Sequence, residues 1–211
     1  VALENTTNMG GGAVWTVDEV AAVAAAARAK GAKVHMDGAR LANAAVAAGV
    51  PLAAYGKLCD TVWLDFSKGL GAPVGACLAG SAAAIDEAWR IKQQLGGAMR
   101  QAGIIAAAAL YALDHHLDRL AEDHARAAAL AAAIRELPGL ELLNPPVETN
   151  LVFFSTAGSG WSAPALSEAL AGKGVRIGAM GPDQLRACTH LDVDDSGIET
   201  AIGALRELVA G

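Results

Sequence analysis

The chain has 211 residues, of which 54% are hydrophobic and 18% charged, a balance that is typical of a globular protein and argues against a disordered one. Its net charge is −6 and its basic residues are scattered, whereas a nucleic-acid-binding surface needs clustered positive charge, so we expect no nucleic-acid partner. The longest apolar stretches, 21–27 and 103–113, are shorter than the roughly 20 residues of a membrane-spanning helix, so no membrane span is expected.

The first part of the chain alternates strands with helices. The predicted strands are 1–5, 33–37, 61–66 and 74–79, and the predicted helices are 17–30 and 38–48. Thr16 and Glu19 have the spacing of a capping box, which marks the start of the first helix. Strands separated by helices predict a sheet covered by helices, with functional residues placed just after the strand ends.

The second part begins with a helical connector, from Ser81 to about Glu136, which is interrupted near Gly96 and again near Asp114. Shorter elements follow Pro138. They are predicted strands at 140–143, 150–155, 175–177 and 185–191, a helix capped by Ser162 and a final helix from Asp194. We therefore predict an α/β chain with a first domain at 1–116 and a small C-terminal domain at 119–211.

The three cysteines, Cys59, Cys77 and Cys188, are widely spaced, odd in number and set in apolar surroundings. This pattern predicts reduced, buried thiols in a cytoplasmic protein and offers no metal-binding spacing. The first five residues are predicted as a buried strand and carry no initiator Met, basic stretch or signal peptide, so we expect the chain to begin within a domain.

Lys68 is the first candidate for chemistry. It lies in Ser67-Lys68-Gly69-Leu70-Gly71-Ala72-Pro73, directly after the strand 61–66, where glycines allow a ligand to approach closely. A lysine amine that is partly removed from water in such a loop can act as a nucleophile. The alternative is a surface lysine in a turn.

Asp37 ends the strand 33–37, where a carboxylate can keep a pyridine nitrogen protonated or can cap the following helix. Arg40, three residues later, could bind a carboxylate through two parallel hydrogen bonds or form an ion pair with Asp37. His35 shares a strand face with Asp37, and we favour a structural histidine over one that approaches a ligand.

Five sequence blocks resemble the low-specificity L-threonine aldolases in order and approximate spacing. They are Leu3-Glu4-Asn5-Thr6, His35-Met36-Asp37-Gly38-Ala39-Arg40, Ser67-Lys68-Gly69-Leu70-Gly71-Ala72-Pro73, Gly96-Gly97-Ala98-Met99-Arg100-Gln101-Ala102-Gly103 and Arg186-Ala187-Cys188-Thr189-His190-Leu191-Asp192-Val193. The resemblance covers essentially the whole chain. It implies the pyridoxal 5'-phosphate (PLP)-dependent transferase-like fold, fold type I, with part of the large-domain sheet and a small C-terminal α/β domain.

The same resemblance implies roles for individual residues. Lys68 would hold PLP as a Schiff base, Asp37 would contact the pyridine nitrogen, and Arg40 with Arg186 would bind the substrate carboxylate. Because Arg40 belongs to the Asp37 block, it is also expected at the cofactor. No metal ion is implied.

Two further residues are implied at the cofactor phosphate. Ser67 resembles the family residue that helps to hold the phosphate, although a simple turn hydroxyl is an equal alternative. Arg100 resembles the family arginine of the phosphate site, which can act across a subunit interface.

The sequence departs from the family in two ways. Thr7 stands where members usually carry histidine, and members carry a further N-terminal portion before the Glu-Asn-Thr strand. We therefore expect as partners the N-terminal portion of the same enzyme, further copies in a dimer or tetramer, and a small amino-acid substrate.

The implied activity is cleavage of L-threonine, L-allo-threonine or a related β-hydroxy-α-amino acid to glycine and an aldehyde. Two alternatives stay open at this point. One is a phenylserine aldolase or another β-eliminating PLP lyase. The other is a non-catalytic fragment, if the N-terminal portion is not supplied.

Overall fold

The computed structural model describes residues 1–211 and divides the chain into two compact units. The first unit is Val1–Thr6 with Val14–Leu120, and the second is Thr7–Ala13 with Ala121–Gly211. The chain therefore passes between the units three times. None of its helices combines the length and the apolar character needed to cross a bilayer.

The first unit contains a four-stranded sheet and five helices. The strands are β1 (Ala2–Glu4), β2 (His35–Gly38), β3 (Thr61–Asp65) and β4 (Ala76–Gly80). The helices are α1 (Val17–Ala29), α2 (Leu41–Ala48), α3 (Leu52–Gly56), α4 (Ala82–Gln94) and α5 (Gly103–His115). The sheet order is β1-β2-β3-β4, in which the first three strands are parallel and β4 is antiparallel. The short helix α3 was not predicted.

Helix α1 shows how local sequence defines an element. The Thr16 hydroxyl oxygen accepts a hydrogen bond from the Glu19 N–H at 3.2 Å, and the Glu19 carboxylate accepts one from the Thr16 N–H at 2.8 Å. This is the predicted capping box, which satisfies two backbone donors that the first helical turn leaves without partners. Hydrogen bonds that the Glu19 carboxylate accepts from the Thr16 N–H and from the Thr16 hydroxyl lower the pKa of this carboxyl.

The two faces of the first sheet differ because side chains alternate along each strand. One face is apolar and buries Leu3 and Met36 together with the partly buried Val62 and Leu64. It forms a core with residues of α1, α2 and α3, including the fully buried Tyr55. The opposite face carries polar residues, among them Glu4 and Asp37.

The second unit contains an antiparallel sheet and three helices. The strands are β5 (Glu141–Leu143), β6 (Leu151–Ser155), β7 (Gly178–Ala179) and β8 (Gln184–Cys188), in the order β5-β6-β8-β7. The helices are α6 (Leu120–Glu136), whose first residue is counted with the first unit, α7 (Ala163–Gly172) and α8 (Asp195–Ala210). The strand predicted at 175–177 begins later, at Gly178.

Both faces of the second sheet are covered. Val152 and Phe154 point into a core with α6, α7 and α8, while Leu151 and Phe153 are buried on the other face. A Cβ atom at Gly12 would lie 3.2 Å from Cβ of Leu151, so the segment Thr7–Ala13 packs directly on β6. The buried Thr149 hydroxyl fixes it by donating a hydrogen bond to the Gly12 carbonyl at 2.7 Å.

Two of the sequence expectations about burial were wrong. Cys77 and Cys188 are exposed, and only Cys59 is partly buried, which raises the pKa of its thiol. The apolar neighbours of Cys77 belong to β4, whose side chains all remain exposed, so apolar surroundings in sequence did not mean burial. Strand β1 is likewise not buried throughout, because only Leu3 is buried in it.

Candidate active site

Lys68 is held in a tight turn immediately after β3. The Gly71 N–H donates a hydrogen bond to the Lys68 carbonyl at 2.9 Å, and the Ala72 N–H donates one to the Phe66 carbonyl at 2.8 Å. Gly71 adopts φ +70°, a conformation that residues with a Cβ atom rarely take. The glycine in the lysine block therefore allows the turn that places Lys68 at the carboxyl end of β3.

The polar face of the first sheet lies beside this turn. Glu4, Asp37 and Trp63 are direct partners across β1, β2 and β3, so their side chains point to the same side. Asp65 lies two residues after Trp63 on β3 and therefore shares that side. We call this surface, defined by Glu4, Asp37, Trp63 and Asp65, the polar face.

The Lys68 side chain leans back over the polar face. Its Nζ lies 5.6 Å from the centroid of the Trp63 ring and 3.2 Å from Oδ2 of Asp65. Because Trp63 is the register partner of Asp37, the lysine amine and the Asp37 carboxylate belong to one face of the sheet. The side chain of Lys68 is 41% exposed, so its amine is accessible to a ligand.

Asp37 is positioned by its own loop. Its Oδ1 accepts a hydrogen bond from the Ala39 N–H at 3.0 Å, and no ion pair joins it to Arg40. Arg40 is the residue that precedes α2, and its side chain does not cap that helix. Neither alternative for this block, an Asp37 helix cap or an Asp37–Arg40 ion pair, is therefore found. His35 Nδ1 lies 2.8 Å from the Thr61 hydroxyl, as the structural interpretation predicts.

Asp65 is a member of this site that the sequence reasoning missed. Its Oδ1 accepts hydrogen bonds from the Ser67 N–H at 2.9 Å and from the Ser67 hydroxyl at 2.7 Å, and its side chain is only 9% exposed. Burial opposes ionisation of this carboxyl, but hydrogen bonds from Ser67 and Lys68 outweigh burial and lower its pKa. The sequence signal for Asp65 is an acidic residue two positions after Trp63 in a mostly apolar strand, because that spacing places both side chains on one face.

The remaining predicted residues belong to other segments of the chain. The hydroxyl of Ser67 is directed to Asp65, as a turn hydroxyl would be. Arg100 lies in the exposed connection between α4 and α5. Arg186 lies on β8 in the second unit, where its Nη1 donates a hydrogen bond to Asn8 Oδ1 at 2.8 Å. Asn8, in the segment Thr7–Ala13, was not predicted.

His116, in the helical connector, has a structural role. His116 Nδ1 lies 2.6 Å from the Leu70 carbonyl and so braces the loop that carries Lys68. No group of three or more His, Cys, Asp or Glu side chains is arranged to hold a metal ion.

A groove of about 1060 Å³ in the first unit lies on the opposite side of the sheet from Lys68. Val62 and Leu64 of β3 and Cys77 and Ala79 of β4 line it, and these residues alternate with those of the polar face. The groove is therefore not part of the candidate site.

The chemistry of the polar face fits PLP. That cofactor needs an amine to bond its aldehyde carbon and a carboxylate near its ring nitrogen. Lys68 and Asp37 meet these two needs on one side of the sheet. A methyl group at Gly38 would lie 2.0 Å from the Trp63 carbonyl oxygen, so the residue after Asp37 must be small for β2 and β3 to pair here.

Comparison with known proteins shows the family to which the chain belongs. The sequence profile of the beta-eliminating lyases matches residues 1–157, and the chain belongs to this family. Low-specificity L-threonine aldolase 1 of Arabidopsis thaliana is 36% identical over 208 residues, which are 98% of this chain and 58% of the relative. The low specificity L-threonine aldolase of Escherichia coli K12 is 38% identical over 193 residues, 92% of this chain and 55% of the relative.

The fold prediction is confirmed by solved structures. The threonine aldolase of Leishmania major superposes with a TM-score of 0.78 at 21% identity, covering 99% of this chain and 60% of that protein. The chain thus has the α/β architecture of fold type I, and the resemblance to threonine aldolases is confirmed. It spans about 58% of the length of the Arabidopsis relative.

Proposed function

We propose that the chain carries the central residues of a PLP-dependent aldolase that cleaves L-threonine, L-allo-threonine or a related β-hydroxy-α-amino acid to glycine and an aldehyde. The observation that carries this proposal is the placement of Lys68 and Asp37 on one sheet face, with the Lys68 amine over the ring of Trp63. The similarity to low-specificity L-threonine aldolases supports the choice of reaction within the family.

Each residue of the proposed site has a distinct task. Lys68 supplies the amine that bonds the cofactor aldehyde, and Asp37 holds a proton on the ring nitrogen through its carboxylate. When bound, PLP supplies a conjugated ring that accepts the electron pair of the breaking Cα–Cβ bond. Arg40 and Arg186 bind the substrate carboxylate, since a guanidinium pairs with a carboxylate through two parallel hydrogen bonds.

The phosphate group requires positive charge and hydrogen-bond donors. We assign this task to Arg100, with Ser67 as a second contact, on the strength of the matched sequence blocks. For Ser67 this assignment requires its hydroxyl to turn away from Asp65 when the phosphate binds.

We also propose that the chain works in the cytoplasm within a larger assembly of two or four subunits, completed by an N-terminal portion of the same enzyme. Every side chain of β4 is exposed, and α4 buries none of its residues. Large apolar side chains are exposed on α4, α5 and the segment between them: Trp89, Ile91, Leu95, Met99, Ile104, Leu110 and Tyr111. Such a concentration of exposed apolar residues marks a contact surface.

The test combines cofactor binding with turnover. We expect PLP to give a borohydride-stable adduct at Lys68, identified by peptide mass spectrometry, and we expect glycine to be released from threonine and allo-threonine. Cleavage of phenylserine alone would favour the alternative aldolase, and an absent Lys68 adduct would contradict the proposal. Light scattering reports whether the assembly is larger than the 21.3 kDa chain.

A further inference from the structure

The peptide group between Leu70 and Gly71 makes two contacts that meet at the turn of residues 68–71, the lysine turn. Its carbonyl oxygen lies 2.6 Å from Nδ1 of His116, and its N–H donates a hydrogen bond to the Lys68 carbonyl at 2.9 Å. A peptide group is planar, so its C=O and its N–H rotate together as one rigid unit. A contact that holds the carbonyl therefore also holds the N–H that closes the turn on Lys68.

The ring of His116 is the donor in this contact. A carbonyl oxygen only accepts hydrogen bonds, so Nδ1 of the ring must carry a hydrogen. The backbone of His116 is fixed by helix α5, because its N–H donates a hydrogen bond to the Ala112 carbonyl at 2.8 Å where that helix ends. Tyr111 contacts the same ring edge to face, with centroids 5.5 Å apart. Helix α5 thus presents a fixed donor to the lysine turn.

Gly71 makes the lysine turn dependent on such a donor. It adopts φ +70°, but glycine takes negative φ values about as readily. The Leu70–Gly71 peptide is therefore less restricted than one beside a residue with a Cβ atom, and its rotation would remove the Gly71 N–H from the Lys68 carbonyl. The buried Leu70 side chain belongs to a core cluster with Ala109 and Ala112 of α5. That packing holds the side chain and does not set the direction of the carbonyl.

We propose that His116 is a positioning residue for Lys68 and that it acts by locking the Leu70–Gly71 peptide. The inference rests on the proposed function of Lys68 and deepens it. While the peptide is locked, the backbone of Lys68 keeps one position from which its side chain extends to the cofactor. Without the His116 donor the peptide rotates, and the chain occupies this position only part of the time.

Hydrogen exchange measures the lock on the chain itself, without the cofactor. His116→Phe keeps an aromatic ring beside Tyr111 and removes the donor. We expect the Gly71 amide to exchange about threefold to tenfold faster in this variant, which is the effect of losing one hydrogen bond of ordinary strength. Amides of α1 should keep their native rates. Mass spectrometry with electron-transfer fragmentation resolves the single amide.

Two variants serve as controls. His116→Asn should restore most of the native rate at Gly71, because the Asn Nδ2 lies as many bonds from Cα as the His Nδ1 and donates to the same carbonyl. A general loss of stability would raise exchange in α1 as well. His115→Phe is the matched control, since His115 also contacts Tyr111, with centroids 4.3 Å apart, but makes no hydrogen bond to the lysine turn. It should leave exchange at Gly71 unchanged.

The consequence for Lys68 is measured with PLP and borohydride. We expect His116→Phe to need about twofold to tenfold more PLP than the native chain before half of Lys68 carries the borohydride-stable adduct. The reason is that apparent affinity falls with the fraction of molecules in which the turn is closed. His116→Asn and His115→Phe should need close to the native concentration.

The outcomes separate this inference from the proposed function. If native Lys68 forms no borohydride-stable adduct, the proposed function fails and the inference fails with it. If the native adduct forms, only the inference fails when His116→Phe needs no more PLP, when its Gly71 amide exchanges at the native rate, or when folded His116→Asn behaves like His116→Phe.

A further variant covers the case in which circular dichroism shows that His116→Phe is unfolded. His116→Gln then takes its place, because the Gln amide nitrogen lies one bond further from Cα and does not reproduce the Nδ1 donor. We expect the same faster exchange at Gly71 and the same need for more PLP. Native values of both in His116→Gln would overturn the inference.

Discussion

Gly38 lies directly against the carbonyl oxygen of Trp63, so that an added Cβ atom would stand 2.0 Å from that backbone oxygen. Because backbone cannot move aside as a flexible side chain can, we expect Gly38→Ala to lower the free energy of unfolding by about 1–3 kcal/mol. Chemical denaturation measures the change. Gly56→Ala is the matched control in the same unit, since nothing lies within 4 Å of a Cβ there. Equal stability of the two variants would show that β2 and β3 are less tightly paired than described.

Replacement of Lys68 by alanine should abolish the borohydride-stable PLP adduct and leave the fold intact. The side chain is 41% exposed and is not part of a hydrophobic core cluster, so its loss removes chemistry without emptying the core. Lys33→Ala, which removes an exposed lysine that is also paired with an aspartate, should keep the adduct. A full stoichiometric adduct in Lys68→Ala would assign the cofactor to another lysine.

The start of α8 should make stability sensitive to acid. Asp194 Oδ1 accepts hydrogen bonds from the Gly197 N–H and the Ser196 hydroxyl, both at 2.8 Å, and the Gly197 bond is the main cause of its lowered pKa. Since the folded-state pKa is below the unfolded one, this stabilisation is complete above the usual aspartate pKa and is lost as pH falls through the folded value.

Substitutions at Asp194 separate the effect of its helix-capping hydrogen bonds from the effect of its ionisation. Asparagine caps helices as well as aspartate but does not ionise, so Asp194→Asn should unfold at a similar temperature at neutral pH and show a weaker dependence on acid. Asp194→Ala should be less stable already at neutral pH. Thermal unfolding followed by circular dichroism from neutral to acidic pH tests both. An identical acid dependence in Asp194→Asn and the native chain would be inconsistent with this role.

Arg126 should stabilise the second unit through a buried partner. Its Nε lies 2.7 Å from Asp195, and its Nη1 lies 3.9 Å from Asp123, whose side chain is fully buried. Because Arg126→Met removes a cation within 4 Å of a buried carboxylate, we expect a loss of about 1–3 kcal/mol in the free energy of unfolding. Arg206→Met is the control, because its pair with Glu136 is exposed on both sides and should change stability by less than about 0.5 kcal/mol. Equal losses in the two variants would contradict the argument.

The elements that sequence predicted well depend on local rules. The capping box of Thr16 and Glu19 defines the start of α1, and Ser162 caps α7 as expected. The last helix was predicted from Asp194, which is the residue that caps α8. Lys68 and Asp37 were predicted as site residues from their positions at strand ends, and the structure places them on one face of the sheet. These signals need only a few neighbouring residues and a periodic pattern.

The features that sequence missed depend on contacts between distant residues or on surroundings. Asn8 was not recognised because its partner Arg186 lies 178 residues away. The exposure of Cys77 could not be inferred, since an apolar strand at a sheet edge has the same sequence pattern as a buried one. Asp65 was overlooked although it lies three residues before Lys68, because a lone carboxylate in a strand gives no indication of its partner.

The assignment of Thr7–Ala13 to the second unit has a consequence for the order of synthesis. These residues are synthesised well before their partners Thr149 and Arg186, which lie much later in the chain. All four strands of the first unit can pair before the final contacts of Thr7–Ala13 are available. Arg186 donates its hydrogen bond to Asn8 only after β8 has been synthesised, so a chain truncated before β8 would retain Lys68 and Asp37 and still lack the anchored arginine.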